Sequence, residues 1–135
     1  MKTFNIVLIL LLAFNTSCQS QEKKNTIMLN YKAQTRGFLY QIEFKNDSIE
    51  INNNNLVKSA ILTKSQLLKI DSLLNDINFK KIEDNISTNE LAVDRAIKGV
   101  FELNYNQNSY FFEFSHNNLP KEIENLMKLL ESFTN

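Results

Sequence analysis

The chain reads as an α+β domain behind a leader: an antiparallel five- or six-stranded sheet with two amphipathic helices packed on one face, in the order β-β-β-α-β-β-α. Three observations predict this. Apolar and polar residues alternate between Ile27 and Ile51 and again between Arg95 and Ser115, the period of strands with one buried face. Short polar clusters separate the alternating runs closely enough for consecutive strands to pair antiparallel. Two further stretches, one after Thr63 and one from Pro120, carry apolar residues at helical spacing.

The first segment is a leader rather than an element of the domain. Lys2 and the amino terminus supply positive charge, and Ile6 to Phe14 form an unbroken apolar run. That run is too short to cross a bilayer, which takes roughly 20 apolar residues. Small residues Thr16 and Ser17 then lead into Cys18, and this arrangement resembles the lipobox of bacterial lipoproteins, with Asn15 where that motif usually has an aliphatic residue. The resemblance implies that residues 1–17 are a signal peptide, that Cys18 carries a diacylglyceryl thioether and an acylated amino group, and that residues 18–26 are the lipidated cysteine and its tether. One acyl chain binds marginally, whereas two or more anchor stably. The extended tether reaches on the order of 25 Å. A plain secretory signal with an incidental cysteine is the alternative.

The composition narrows the chemistry. Cys18 is the only cysteine, so the domain at residues 27–135 has no disulfide, thiol nucleophile or cysteine metal site, and no cofactor or metal is expected. About 118 residues follow the cleavage point, enough for one domain stabilised by its core alone. Lys plus Arg and Asp plus Glu number 15 each, leaving no net field to draw nucleic acid. The abundance of Asn beside 2 Gly and 1 Pro reads as compositional bias without a mechanism.

In the first strand Ile27, Leu29, Tyr31 and Ala33 alternate with Met28, Asn30 and Lys32, and Arg36-Gly37 ends it. Phe38, Tyr40, Ile42 and Phe44 form the next strand, Lys45-Asn46-Asp47 a turn, and Ile49 and Ile51 a third strand. Asn52 to Asn55 reads as a loop and Val57 to Leu62 as an additional edge strand. Thr63 and Gln66 have the spacing of a capping box, and Leu67, Ile70, Leu74 and Ile77, flanked by Leu73, make the apolar face of the first helix. The second helix starts near Pro120, with Glu122 and Glu124 at its positive end and Ile123, Leu126, Met127, Leu130 and Phe133 inward. Between the helices lies a hairpin turning at Asn106-Gln107-Asn108. A two-residue loop at Gln107-Asn108 would put Leu103 opposite Phe112, Phe101 opposite Phe114 and Glu102 opposite Glu113.

Asp94-Arg95-Ala96, the alternating strand, Phe111 to Phe114, then Ser115-His116-Asn117-Asn118-Leu119-Pro120 and a Lys/Glu/Leu helix resemble small uncharacterised lipoproteins of Bacteroidota of the flavobacterial type; Tyr31 to Gly37 adds to the likeness. Those proteins often read Phe-Asp-His-Gly-Asn-Pro-Pro before the last helix, so this chain has Ser115 for the Asp and Asn117 for the Gly. The resemblance implies a compact sheet-and-helix lipoprotein lipid-anchored to the bacterial outer membrane in the cell envelope, with no activity to transfer.

Candidate residues are few. His116, the only histidine, reads as a helix cap or loop hydrogen-bonder, or as the general base of a small envelope hydrolase with Ser115 or Glu113. Neither a nucleophile elbow nor a glycine-rich phosphate loop accompanies it. Glu83-Asp84, Glu90 and Asp94 lack the spacing of a calcium loop. Arg36 and Arg95, the only arginines, offer planar forks for a carboxylate. Phe111, Tyr31, Tyr40 and Leu39 are the candidates for an exposed aromatic patch. The expected function is a non-catalytic binding module for a protein or glycan partner; the alternatives are the hydrolase and an inhibitor or immunity-type protein.

Overall fold

The structure, a computed structural model, describes residues 26–86 and 96–135. Cys18, the expected signal peptide, the expected tether before Thr26, and Glu90, Asp94 and Arg95 lie outside the described residues. Strands Met28–Thr35 (β1), Phe38–Lys45 (β2), Ser48–Asn53 (β3) and Leu56–Ile61 (β4) form an antiparallel meander. Helix Lys64–Asp76 (α1) and a 3₁₀ turn at Phe79–Lys81 follow. Strands Lys98–Tyr105 (β5) and Asn108–Ser115 (β6) form a second hairpin, and after a 3₁₀ turn at His116–Asn118 comes helix Lys121–Ser132 (α2). The strand order is β4-β3-β2-β1-β5-β6, so β5 pairs with β1 and the first strand ends up inside the sheet. This is the expected α+β architecture in its six-stranded form, with β4 as the additional edge strand.

Period-2 alternation decides which side is covered. Leu29, Tyr31 and Ala33, Ile42 and Phe44, Ile49 and Ile51, and Phe101, Leu103 and Tyr105 all point to one face and are buried there. Against them pack Ile70 and Leu74 of α1 and Ile123, Leu126, Met127 and Leu130 of α2. α1 carries the chain from the β4 edge across to β6: the Tyr105 hydroxyl donates to Asp71 at 2.8 Å and Phe79 stacks on Tyr110. α2 carries it back, since Tyr40 on β2 bonds Glu131 and Lys58 on β4 donates to Asn135 at 3.0 Å.

Local signals set the helix ends. Gln66 N–H donates to Thr63 Oγ1 and Thr63 N–H to Gln66 Oε1, completing the capping box. Such a cap is worth about 1 kcal/mol. Pro120 occupies the N-cap position of α2, and Glu122 and Glu124 lie in its first turn.

The hairpin between β5 and β6 corrects the expected register. Its loop is Asn106-Gln107, with φ of 50° and 65°, and Tyr105 faces Asn108. Leu103 therefore faces Tyr110 and Phe101 faces Phe112, while Glu102 lies opposite Phe111 and Glu113 opposite Val100. The two glutamates are not opposed. Glu113 instead pairs diagonally with Lys98 at 2.5 Å, and Glu102 accepts from Asn30 Nδ2 at 3.2 Å. The reason is turn chemistry: two-residue hairpin loops with positive φ at both central residues favour Asn or Asp at the first of them, and Asn106-Gln107 puts Asn there whereas Gln107-Asn108 would not. Asn54 and Asn55, at 50° and 70°, close the turn between β3 and β4 in the same way, and Asn46, at 59°, opens the turn after β2. At these positions Asn has a structural role, contrary to the purely compositional reading.

The two sheet edges differ. Residues 84 and 85 run along β6: Asp84 Oδ1 accepts from Glu113 N–H at 2.8 Å, Asn85 N–H donates to the Glu113 carbonyl at 3.2 Å, and Asn85 Oδ1 accepts from Ser115 N–H at 2.8 Å. Asn85 Nδ2 reaches on to the Asn118 carbonyl at 2.6 Å. At the other edge β4 exposes Leu56, Val57 and Ile61 at 75%, 55% and 72%.

Candidate binding face

Both helices pack on one face, and the residues of opposite parity form the other. On β1 these are Met28, Asn30, Lys32 and Gln34; on β5, Lys98, Val100, Glu102 and Asn104; on β6, Phe111 and Glu113. The face is polar with small apolar islands. Phe111, opposite Glu102, leaves 58% of its surface exposed, the one strongly exposed aromatic among the described residues. A shallow groove of about 390 Å³ runs beside it between β1 and β5, lined by Asn30, Lys32, Gln34, Lys98, Val100 and Glu102. A second depression of about 170 Å³ continues from it along Met28, Asn30, Glu43, Lys45, Glu102 and Asn104. Asn30 and Glu102 line both. Asn30 donates to Glu102, but its Oδ1 is enclosed without a hydrogen-bond partner. An unpaired enclosed acceptor costs about 1–3 kcal/mol, which a donor reaching it would recover.

The groove therefore presents an amide, an ammonium and a carboxylate within a few strands' width, beside one aromatic ring. Polar side chains flanking an aromatic suit the hydroxyls and C–H faces of a sugar, or the amides of a peptide. The Lys98–Glu113 pair at its border is part-exposed and contributes at most about 1 kcal/mol.

The expected aromatic patch of Phe111, Tyr31, Tyr40 and Leu39 does not form as one surface. Tyr31 shares parity with Leu29 and Ala33, lies beneath the helices and is fully buried. Tyr40 is half-buried on the same side, and its hydroxyl donates to Glu131. Leu39 is half-buried on the open side at β2, separated from Phe111 by β1 and β5. Only Phe111 of the four stands well clear of the domain.

His116 belongs to the covered side. Its Nδ1 shares a 2.8 Å hydrogen bond with the Tyr31 hydroxyl, and its ring packs against Tyr31, Phe38 and Tyr40 at centroid distances of 5.8, 5.3 and 5.2 Å. Burial lowers its pKa below the usual 6.5, opposed in part by the Glu131 carboxylate. Burial also raises the pKa of Tyr31, and burial with the hydrogen bond to Glu131 raises that of Tyr40. Gly99 makes this arrangement possible: a Cβ there would lie 2.7 Å from Tyr31 Cζ, so only glycine lets the ring cross the backbone of β5.

The pairs considered for hydrolysis are not assembled. Glu113 is ion-paired with Lys98 on the opposite face, and no hydrogen bond joins Ser115 to His116; the Ser115 N–H is held by Asn85. Arg36 lies exposed in the turn between β1 and β2 and forms no ion pair among the described residues. No cluster of three or more potential metal ligands occurs among the described residues. No helix there is long and apolar enough to cross a membrane.

Asn30 and Lys98 were missed by sequence reasoning, and Glu102 was singled out only as a carboxylate facing Glu113, which it does not face. Strand parity placed them together on the polar face, but pairing of β1 with β5, strands 70 residues apart, is what turns that polarity into a groove. Compared with known proteins, the chain matches no family model, no curated protein and no solved structure.

Proposed function

We propose that this chain is a membrane-anchored lipoprotein of the bacterial envelope, held through lipid on Cys18, whose domain is a non-catalytic binding module. It engages a protein or glycan partner through the sheet face that the helices leave uncovered. The observation that carries this reading is Phe111: a large aromatic, 58% exposed, on the strand next to a polar groove and opposite Glu102, which lines it. Burying such a ring on a partner gains on the order of 2 kcal/mol, and the groove supplies direction through Asn30, Lys32 and Glu102. The apolar run ending before Cys18 and the short polar tether support the anchor.

Two measurements test the two halves. Palmitate should label the protein and the label should disappear in Cys18→Ala; unlabelled wild-type protein refutes the anchor. A photo-cross-linking amino acid at position 111 should yield a discrete adduct in intact cells. The same group at Leu68, 60% exposed on α1, should not. Equal adduct patterns from both positions would refute the assignment of the open face.

A further inference from the structure

We propose that β4 is a self-pairing edge, at which two copies of this chain join antiparallel about Ser59 into one continuous sheet. The direction of its free backbone groups is set by the meander. Leu62 N–H donates back to the Asp47 carbonyl at 2.7 Å, so the groups of even-numbered residues here point toward β3. By the two-residue period, those of Val57, Ser59 and Ile61 point outward and are unpaired by the sheet.

A twofold axis perpendicular to the sheet keeps the helix-covered faces on the same side, so residues of equal parity must oppose one another. Three centres are then available on this short strand. Centring on Lys58 puts two ammonium groups face to face, which is repulsive. Centring on Ala60 leaves Val57 opposite Thr63, beyond the strand's end. Centring on Ser59 pairs Val57 with Ile61 of the second copy, and Ile61 with its Val57. Exposed apolar side chains at 55% and 72% thereby cover each other twice. The same register sets Ser59 against Ser59 with both outward N–H and C=O groups engaged, and Lys58 against Ala60. Lys58 is turned to the helix side, where it donates to Asn135, so its charge does not oppose the approach.

This self-complementarity is what names a second copy as the occupant. On β6, by contrast, Asp84 and Asn85 take edge groups of Glu113 and Ser115. A six-residue ladder buries less than the roughly 1,200 Å² of a stable interface, so pairing is expected to depend on concentration. Copies sharing a membrane meet more often; that part rests on the anchor proposed above.

The test uses the full chain in membranes of producing cells under mild oxidation. Ser59→Cys should give a disulfide-linked dimer about tenfold above both unsubstituted protein, which sets the background from Cys18, and Glu50→Cys on β3. Differently tagged Val57→Cys and Ile61→Cys, produced together, should link to one another and neither to itself. Adding Ser59→Lys, which sets two ammonium groups at the axis, should abolish that link. All these side chains are exposed, so folding should survive, and unchanged thermal unfolding checks it. Ser59→Cys dimer at the Glu50→Cys level, or a Val57 self-link without the Val57–Ile61 link, overturns the proposal. Palmitate labelling of the same samples reads the anchor separately: labelled protein without cross-link overturns the pairing and leaves the anchor standing.

Discussion

β4 and β6 end the same sheet, yet among the described residues no segment lies along β4, whereas the last residues of β6 are closed by the chain itself. At β6, Asp84 and Asn85 occupy outward groups of Glu113 and Ser115, so the last residues of that edge cannot template another strand. At β4, the outward groups of Val57, Ser59 and Ile61 meet no such segment among the described residues, and Val57 and Ile61 are exposed apolar side chains. The difference follows from the connections. The link from α1 to β5 must pass the far edge and lays polar side chains along it; the link from β4 to α1 leaves at once through the capped Thr63. An edge is protected where the chain has a reason to travel past it.

Perturbing the sheet between the edges should cost most. Gly99→Ala drives a Cβ into the Tyr31 ring and displaces the contact with His116, with an expected loss of about 3 kcal/mol in urea unfolding. A loss under about 1 kcal/mol would mean that Tyr31 does not cross β5 as described. Next is the covered edge. Asn85→Ala removes the acceptor for Ser115 N–H and the donor to Asn118, and should cost about 2 kcal/mol. Amide exchange at Glu113 and Ser115 should speed up while that of β2 stays slow.

The third effect is one of pH, at the residue that follows β6. The folded protein holds His116 neutral below its ordinary pKa of 6.5, whereas the unfolded chain protonates it there. The unfolded state then binds more protons, so stability should fall as pH drops from about 6.5 and be fully present above it. His116→Gln should flatten that slope, measured as urea midpoints between pH 7.5 and 5.5; an unchanged slope would remove His116 from the account. The smallest effect belongs to the open edge. Ile61→Lys should change the unfolding free energy in dilute solution by no more than about 0.5 kcal/mol. A cost equal to that of Asn85→Ala would erase the contrast between the edges.

Local patterns were legible. Alternation in β1 and β2 placed Tyr31 with Leu29 and Ala33, and the Thr63 to Gln66 box marked the start of α1, because each signal spans a few neighbouring residues. The hairpin after β5 was legible as a hairpin but not in its register. A slip of two residues leaves every side chain on its original face, so the apolar pattern accepts Asn106-Gln107 and Gln107-Asn108 alike. Backbone φ at Asn106 and Gln107 made the choice. The grouping of Tyr40 and Tyr31 with Phe111 failed for a related reason: being aromatic says nothing of parity, and parity separates them.

The amino-acid order by itself determined the α+β class, the inward and outward sets of each strand, the capping box of α1 and the start of α2 near Pro120, since these depend on periods of two and 3.6 residues and on hydrogen bonds within one turn. Only the tertiary structure decided that β5 lies against β1, that Asn30 meets Glu102, that Tyr31 reaches His116 over Gly99 and that residues 84 and 85 cover the last residues of β6. Those contacts join segments about 30 to 85 residues apart, and what selects them is the joint burial of one sheet face beneath two helices, a property of the whole chain rather than of any local stretch.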